Sequence, residues 1–162
     1  MSEAIYLFSS WSSPAPRASR PIKTYWHWVI QLICTIVAFT GLATIVVNKT
    51  LAQKEHFTTW HGTIGIMACV SLVLQLSGGV LHLYPNVMKK YLPLRLVTMK
   101  KIHAFFGTVT YGLGMCAVLL ATRSTWFLNN IYDELLMMCC AACPIVLFSV
   151  QLYQAGRNWI FR

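Results

Sequence analysis

The side chains best able to bind or relay in this sequence are its five histidines. Three of them, His27, His61 and His103, stand just inside the ends of long apolar runs. A ligand-type polar side chain inside such a run must find a partner there, so its default reading is functional. Neutral imidazole is an axial ligand of haem iron, and two imidazoles at matched depth on neighbouring helices make the pair that a b-type centre requires. His27 and His103 open their runs from the same side, whereas His61 opens its run from the other. Glycine one turn beyond a ligand leaves room for a flat macrocycle on the same helix face. Gly65 follows His61 at that spacing and Gly107 follows His103; at about 100° per residue Gly114 returns to the His103 face as well. The plainer reading bonds each imidazole to a backbone carbonyl and uses each glycine only to let helices approach. A lone histidine would be read that way; three at helix starts, two of them with glycine at i+4, favour haem. His56 lies in a polar stretch and His82 beside Tyr84-Pro85, where it is expected to snorkel to an interface, and neither is given a ligand role.

Four apolar runs must position these residues: about 24–47, 60–83, 102–122 and 131–153. Each is close to the roughly 20 residues needed to cross hydrocarbon and holds no Asp, Glu, Lys or Arg away from its ends. Without water to take up free backbone groups, such runs should be helices, so the fold class is an all-α integral membrane helical bundle of four transmembrane helices. The composition agrees, with 57% hydrophobic and 10% charged residues in 162. That excludes an ordinary soluble domain and a disordered chain. The net charge of +9 does not read as a nucleic-acid surface, because the cations sit in short clusters between apolar runs.

Of the 13 Lys and Arg, ten fall on the side of residues 17–23, 89–101 and 157–162, and three, Lys49, Lys54 and Arg123, on the other. The side richer in cations stays in the cytosol, so both chain ends are expected there. For most of these residues orientation is explanation enough; a second role as an anion dock is reserved for those near a histidine. The six cysteines all lie inside the runs and read as small packing residues. Cys139, Cys140 and Cys143 have no second C-x-x-C pair, which argues against a metal site. The sequon Asn48-Lys49-Thr50 lies against a helix end. Residues 4–8 are too short an apolar stretch for a signal peptide.

Several spaced strings, in order, resemble the cytochrome b561 family: His27-Trp28-Val29-Ile30-Gln31-Leu32, Trp60-His61-Gly62, Gln75-Leu76-Ser77-Gly78-Gly79-Val80 with Tyr84-Pro85, Lys101-Ile102-His103 with Gly107, Thr125-Trp126-Phe127 and Cys143-Pro144. The resemblance implies a six-helix core with two haems b and four ligand histidines. Such a core carries electrons from cytosolic ascorbate across a membrane, in an endomembrane or vesicle, to ferric iron or monodehydroascorbate. Carried over by position, His27 and His103 pair on the cytosolic-side haem, and His61 is one ligand of the other. The partner of His61 would come from a preceding helix in a Trp-His-Pro-like string that this sequence lacks, so the chain is expected to be a partial core whose second haem is incompletely ligated. On this reading 1–23 is a linker with a remnant of that helix, 24–155 the cytochrome b561 domain and 156–162 a cytosolic tail. Lys23, Lys100 and Lys101 flank His27 and His103 and are the candidate ascorbate contacts; a homodimer is allowed.

Two readings from other classes stand beside this one. A haem-bearing anchor subunit of a quinone-linked complex would answer to quinols, and a non-redox membrane scaffold would hold no haem.

Overall fold

The computed structural model describes residues 5–8, 13–84, 86, 90 and 94–160, with side chains described to residue 157. Helix α1 is Arg20–Leu51, α2 Trp60–Leu81, α3 Leu96–Ala121, α4 the short Thr125–Asn130, and α5 Glu134–Ile160. There is no strand among the described residues. α1, α2, α3 and α5 are each long and apolar enough to cross a membrane. Their outward faces are apolar, with Val37, Leu74 and Leu135 each about two-thirds exposed, so this bundle turns hydrocarbon outward and belongs in lipid.

Local chemistry explains the helix bounds. α1 starts at Arg20, earlier than the apolar run, because Pro21 suits a first turn and polar residues can extend a helix beyond hydrocarbon. α3 likewise starts at Leu96, six residues before Ile102, and carries Lys100 and Lys101 on its first turns. Thr59 caps α2 by accepting from the Gly62 N–H (3.2 Å), Ser124 caps α4 by accepting from the Phe127 N–H (3.2 Å), and the Asp133 carboxylate accepts from the Leu136 N–H (2.8 Å) at the start of α5. Between α1 and α2, Gln53 and Phe57 turn the chain with φ of 54°. Hydroxyls along the spans return to the preceding turn, as Thr35 does to the Gln31 carbonyl (2.8 Å), which spares them exposure to lipid. The sequon falls in the last turn of α1, where the Thr50 hydroxyl donates to the Val46 carbonyl (2.9 Å), not in a loop.

α2 and α3 share the most extensive interface, α3 and α5 the next, and α1 touches α2 more sparingly. In lipid there is no hydrophobic drive between helices, so close packing carries association. At the α3–α5 seam the Tyr111 ring, 1% exposed, packs on Phe148 at 6.3 Å between centroids, and Gly112 lies directly beneath that Phe148 ring. The segment before α1 joins the bundle too. Leu7 is buried and the Tyr6 hydroxyl donates to the Leu147 carbonyl of α5 (3.4 Å).

Candidate functional site

α2 and α3 run antiparallel, which brings the start of each against the end of the other. At one end, His61 in the first turn of α2 faces Ala117 near the end of α3. Its Nδ1 lies 2.8 Å from the Ala117 carbonyl oxygen. A carbonyl only accepts, so Nδ1 carries the proton and Nε2 keeps its lone pair. This is how metal-ligating imidazoles are oriented, with one nitrogen held and the other offered. The residue is exposed at the bundle surface, and a methyl group placed on Gly65, Gly114 or Gly41 would meet nothing within 4 Å. The expectation of open space at Gly65 and Gly114 therefore holds, although Gly114 sits at the depth of His61 and not of His103.

At the other end, some 14 residues and about 21 Å back along α3, lies His103. Its ring is half-buried against α2, where a Cβ on Gly79 would stand 3.5 Å from its Cε1 and one on Gly78 3.7 Å from its Nδ1. His82, at the end of α2, lies 5.2 Å from it between ring centroids. His82 is thus turned inward and does not snorkel. Its Nδ1–H donates to the Gly78 carbonyl (2.6 Å), and its Nε2 is buried without a partner among the described residues. The snorkelling expectation failed because the Gly78 carbonyl one turn back holds the ring, which lies against that of His103. His27, within the first eight residues of α1, stands at the same end of the bundle. The His27 ring meets Phe8 edge-on at 5.5 Å. The structure therefore gathers three imidazoles at the basic end of the bundle, where sequence reasoning counted two.

Gln75, one turn before Gly79 on α2, stood in a string that resembles the family but was given no role of its own. With its amide nitrogen turned toward the ring, it donates to His103 Nδ1 (3.0 Å) and to the His103 carbonyl (3.3 Å), and its oxygen accepts from the Gly107 N–H (3.0 Å). Gly107 is consequently not open space; a methyl there would meet the Gln75 amide at 3.8 Å. The side-chain oxygens of Gln31 and Gln151, also in the basic half of their helices, are buried with no hydrogen-bond partner among the described residues. Unpaired buried acceptors are costly, roughly 1–3 kcal/mol each. Lys23 is half-buried and Lys100 and Lys101 exposed, each within a turn or so of His27 or His103. Cys139, Cys140 and Cys143 line an apolar groove between α3 and α5.

Chemically, the bundle offers imidazole nitrogens at two depths, open glycine faces beside one of them, and most of its cations at one rim. Each end could offer one ring nitrogen, the Nε2 of His61 as it stands and that of His103 once its proton moves to Nδ1.

Comparison with known proteins identifies the family. The chain is 33% identical over all 162 residues to transmembrane reductase CYB561D2 of Bos taurus, covering 71% of that protein. It has the same identity and coverage with the proteins of that name from Mus musculus and Homo sapiens. No solved structure matches. The profile of eukaryotic cytochrome b561 matches residues 1–128, and with four membrane-spanning helices bearing imidazoles at both ends, the chain belongs to the eukaryotic cytochrome b561 family of haem-dependent transmembrane electron carriers.

Proposed function

We propose that the chain moves electrons from cytosolic ascorbate through haem b toward ferric iron or monodehydroascorbate on the far side of an endomembrane or vesicle membrane. The observation that carries this reading is His61, whose Nδ1–H is held by the Ala117 carbonyl at 2.8 Å beside the open face of Gly65. An imidazole so fixed keeps the lone pair of Nε2 available to ligate.

Under this proposal His27 and His103 hold one haem at the basic, cytosolic end and His61 is a ligand of a second at the other end. Bound haem supplies a one-electron couple. Held by both imidazoles, the haem would have no vacancy for oxygen, and the chemistry it would supply is outer-sphere one-electron transfer. Lys23, Lys100 and Lys101 attract the ascorbate anion to the rim nearest His103 and hold it by charge-assisted hydrogen bonds. The apolar exteriors of α1 and α5 keep water away from the path, and the thin α1–α2 interface leaves room for a homodimer.

The test is the absorption spectrum of the purified protein before and after ascorbate, with a quinol as comparison. Reduction of a low-spin haem by ascorbate and not by the quinol is expected. Reduction by the quinol alone would favour an anchor subunit of a quinone-linked complex, and a spectrum without haem would overturn the proposal.

A further inference from the structure

We propose that Gln75 is the positioning residue that decides which nitrogen of His103 carries the proton, and through it how strongly His103 donates to a bound haem iron. The inference rests on the reading of His103 as an axial ligand and adds a residue that this reading does not require.

With its amide nitrogen toward the ring, Gln75 is a hydrogen-bond partner of the His103 ring. The ring cannot turn away from it. Gly78 and Gly79 let it lie against the α2 backbone, and His82 closes another side at 5.2 Å. A carboxamide can present either of two chemistries at the same spot. With nitrogen toward the ring, Gln75 donates to Nδ1 at 3.0 Å, which leaves the ring's proton on Nε2, the nitrogen that iron would need. Half a turn about the terminal torsion brings the carbonyl oxygen to the same position. It then accepts from Nδ1–H and frees Nε2.

The first orientation is favoured by Gly107, whose N–H points at the amide oxygen from 3.0 Å. The second sets two donors facing each other there and is held only if ligation at Nε2 rewards it. The other end of the bundle has no such choice. His61 is bonded to a backbone carbonyl, which can only accept. One end thus has a fixed ligand tautomer and the other a reversible one. Once the carbonyl faces the ring, acceptance from Nδ1–H makes His103 a more basic ligand, which favours ferric over ferrous iron.

Three substitutions in the full-length chain separate the possibilities. Gln75→Met keeps length and removes both hydrogen-bonding chemistries; Gln75→Asn keeps the amide but is too short to reach; Gln75→Glu keeps an acceptor oxygen. In protein purified without haem, nitrogen-15 NMR of the His103 ring reads the tautomer directly. The wild type is expected to carry the proton on Nε2, and Gln75→Met and Gln75→Asn to show a mixture. In haem-loaded protein, the haem that His103→Ala removes is followed by redox titration. Gln75→Met and Gln75→Asn should shift its ferrous-to-ferric ratio about tenfold toward ferrous, near 59 mV for a one-electron couple, while Gln75→Glu shows no such rise. Unchanged tautomer and potential in both Gln75→Met and Gln75→Asn would overturn the assignment. Loss of no haem in His103→Ala would instead overturn the ligand reading on which it rests, with the NMR result still deciding what Gln75 does to the ring.

Discussion

Replacing Gly112 by alanine would drive a methyl group into the Phe148 ring. The added Cβ would stand 2.8 Å from Cζ and 2.9 Å from Cε2, inside van der Waals contact by more than half an ångström. On its inner side the ring is backed by Tyr111, the most fully buried large side chain among the described residues. Overpacking of this kind costs about 1–3 kcal/mol. Against it stands the helix preference for alanine over glycine, about 1 kcal/mol. The net loss is therefore on the order of 0–2 kcal/mol, concentrated at the α3–α5 seam, and in lipid no hydrophobic term offsets it. Gly156→Ala is the control: its Cβ would meet nothing within 4 Å, so it should be neutral or stabilising by up to about 1 kcal/mol. Unfolding both variants by SDS titration in mixed micelles, followed by far-UV circular dichroism, measures the difference, expected at about 1–3 kcal/mol. Equal stability of the two variants would refute the close α3–α5 approach.

His103→Ala should remove one low-spin haem from the visible spectrum, and an unchanged spectrum would mean that His27 and His103 are not a pair. Gly65→Leu should fill the space beside His61 and lower haem content without altering the haem that depends on His103; full occupancy of both would show that Gly65 faces no cofactor. Lys100→Gln with Lys101→Gln should raise the KM for ascorbate with little change in kcat and flatten its salt dependence, as expected for exposed steering charges. From the charge split, a tag after Arg162 should be digested by protease added to cytosolic-side-out vesicles, and a protected tag would reverse the orientation.

The four spans were legible because apolar length alone marks a membrane helix. Their ends were not, since Arg20, Lys100 and Lys101 continue helices past the hydrocarbon where hydropathy stops reporting. α4 escaped notice because six residues held by the Ser124 cap carry no readable period. The site was legible in part. The depth of each histidine follows from its place in a run, so His61 apart from His103 was foreseeable. What faces each one was not, because that depends on how α2 rotates against α3. That rotation puts Gln75 on Gly107, where a macrocycle was expected, and His82 beside His103. The only sequence signal for it was Gln75 and His82 themselves, seven residues apart and so on one face of α2.

The central claim is that this bundle holds haem between imidazoles and takes its electrons from ascorbate. It is tested most directly by the absorption spectrum of the purified full-length chain, recorded oxidised, after ascorbate and after dithionite. The account predicts a low-spin b-type spectrum of which ascorbate reduces at least the His103-dependent part. A protein that carries no haem, or whose haem answers to dithionite and a quinol but not to ascorbate, would contradict it.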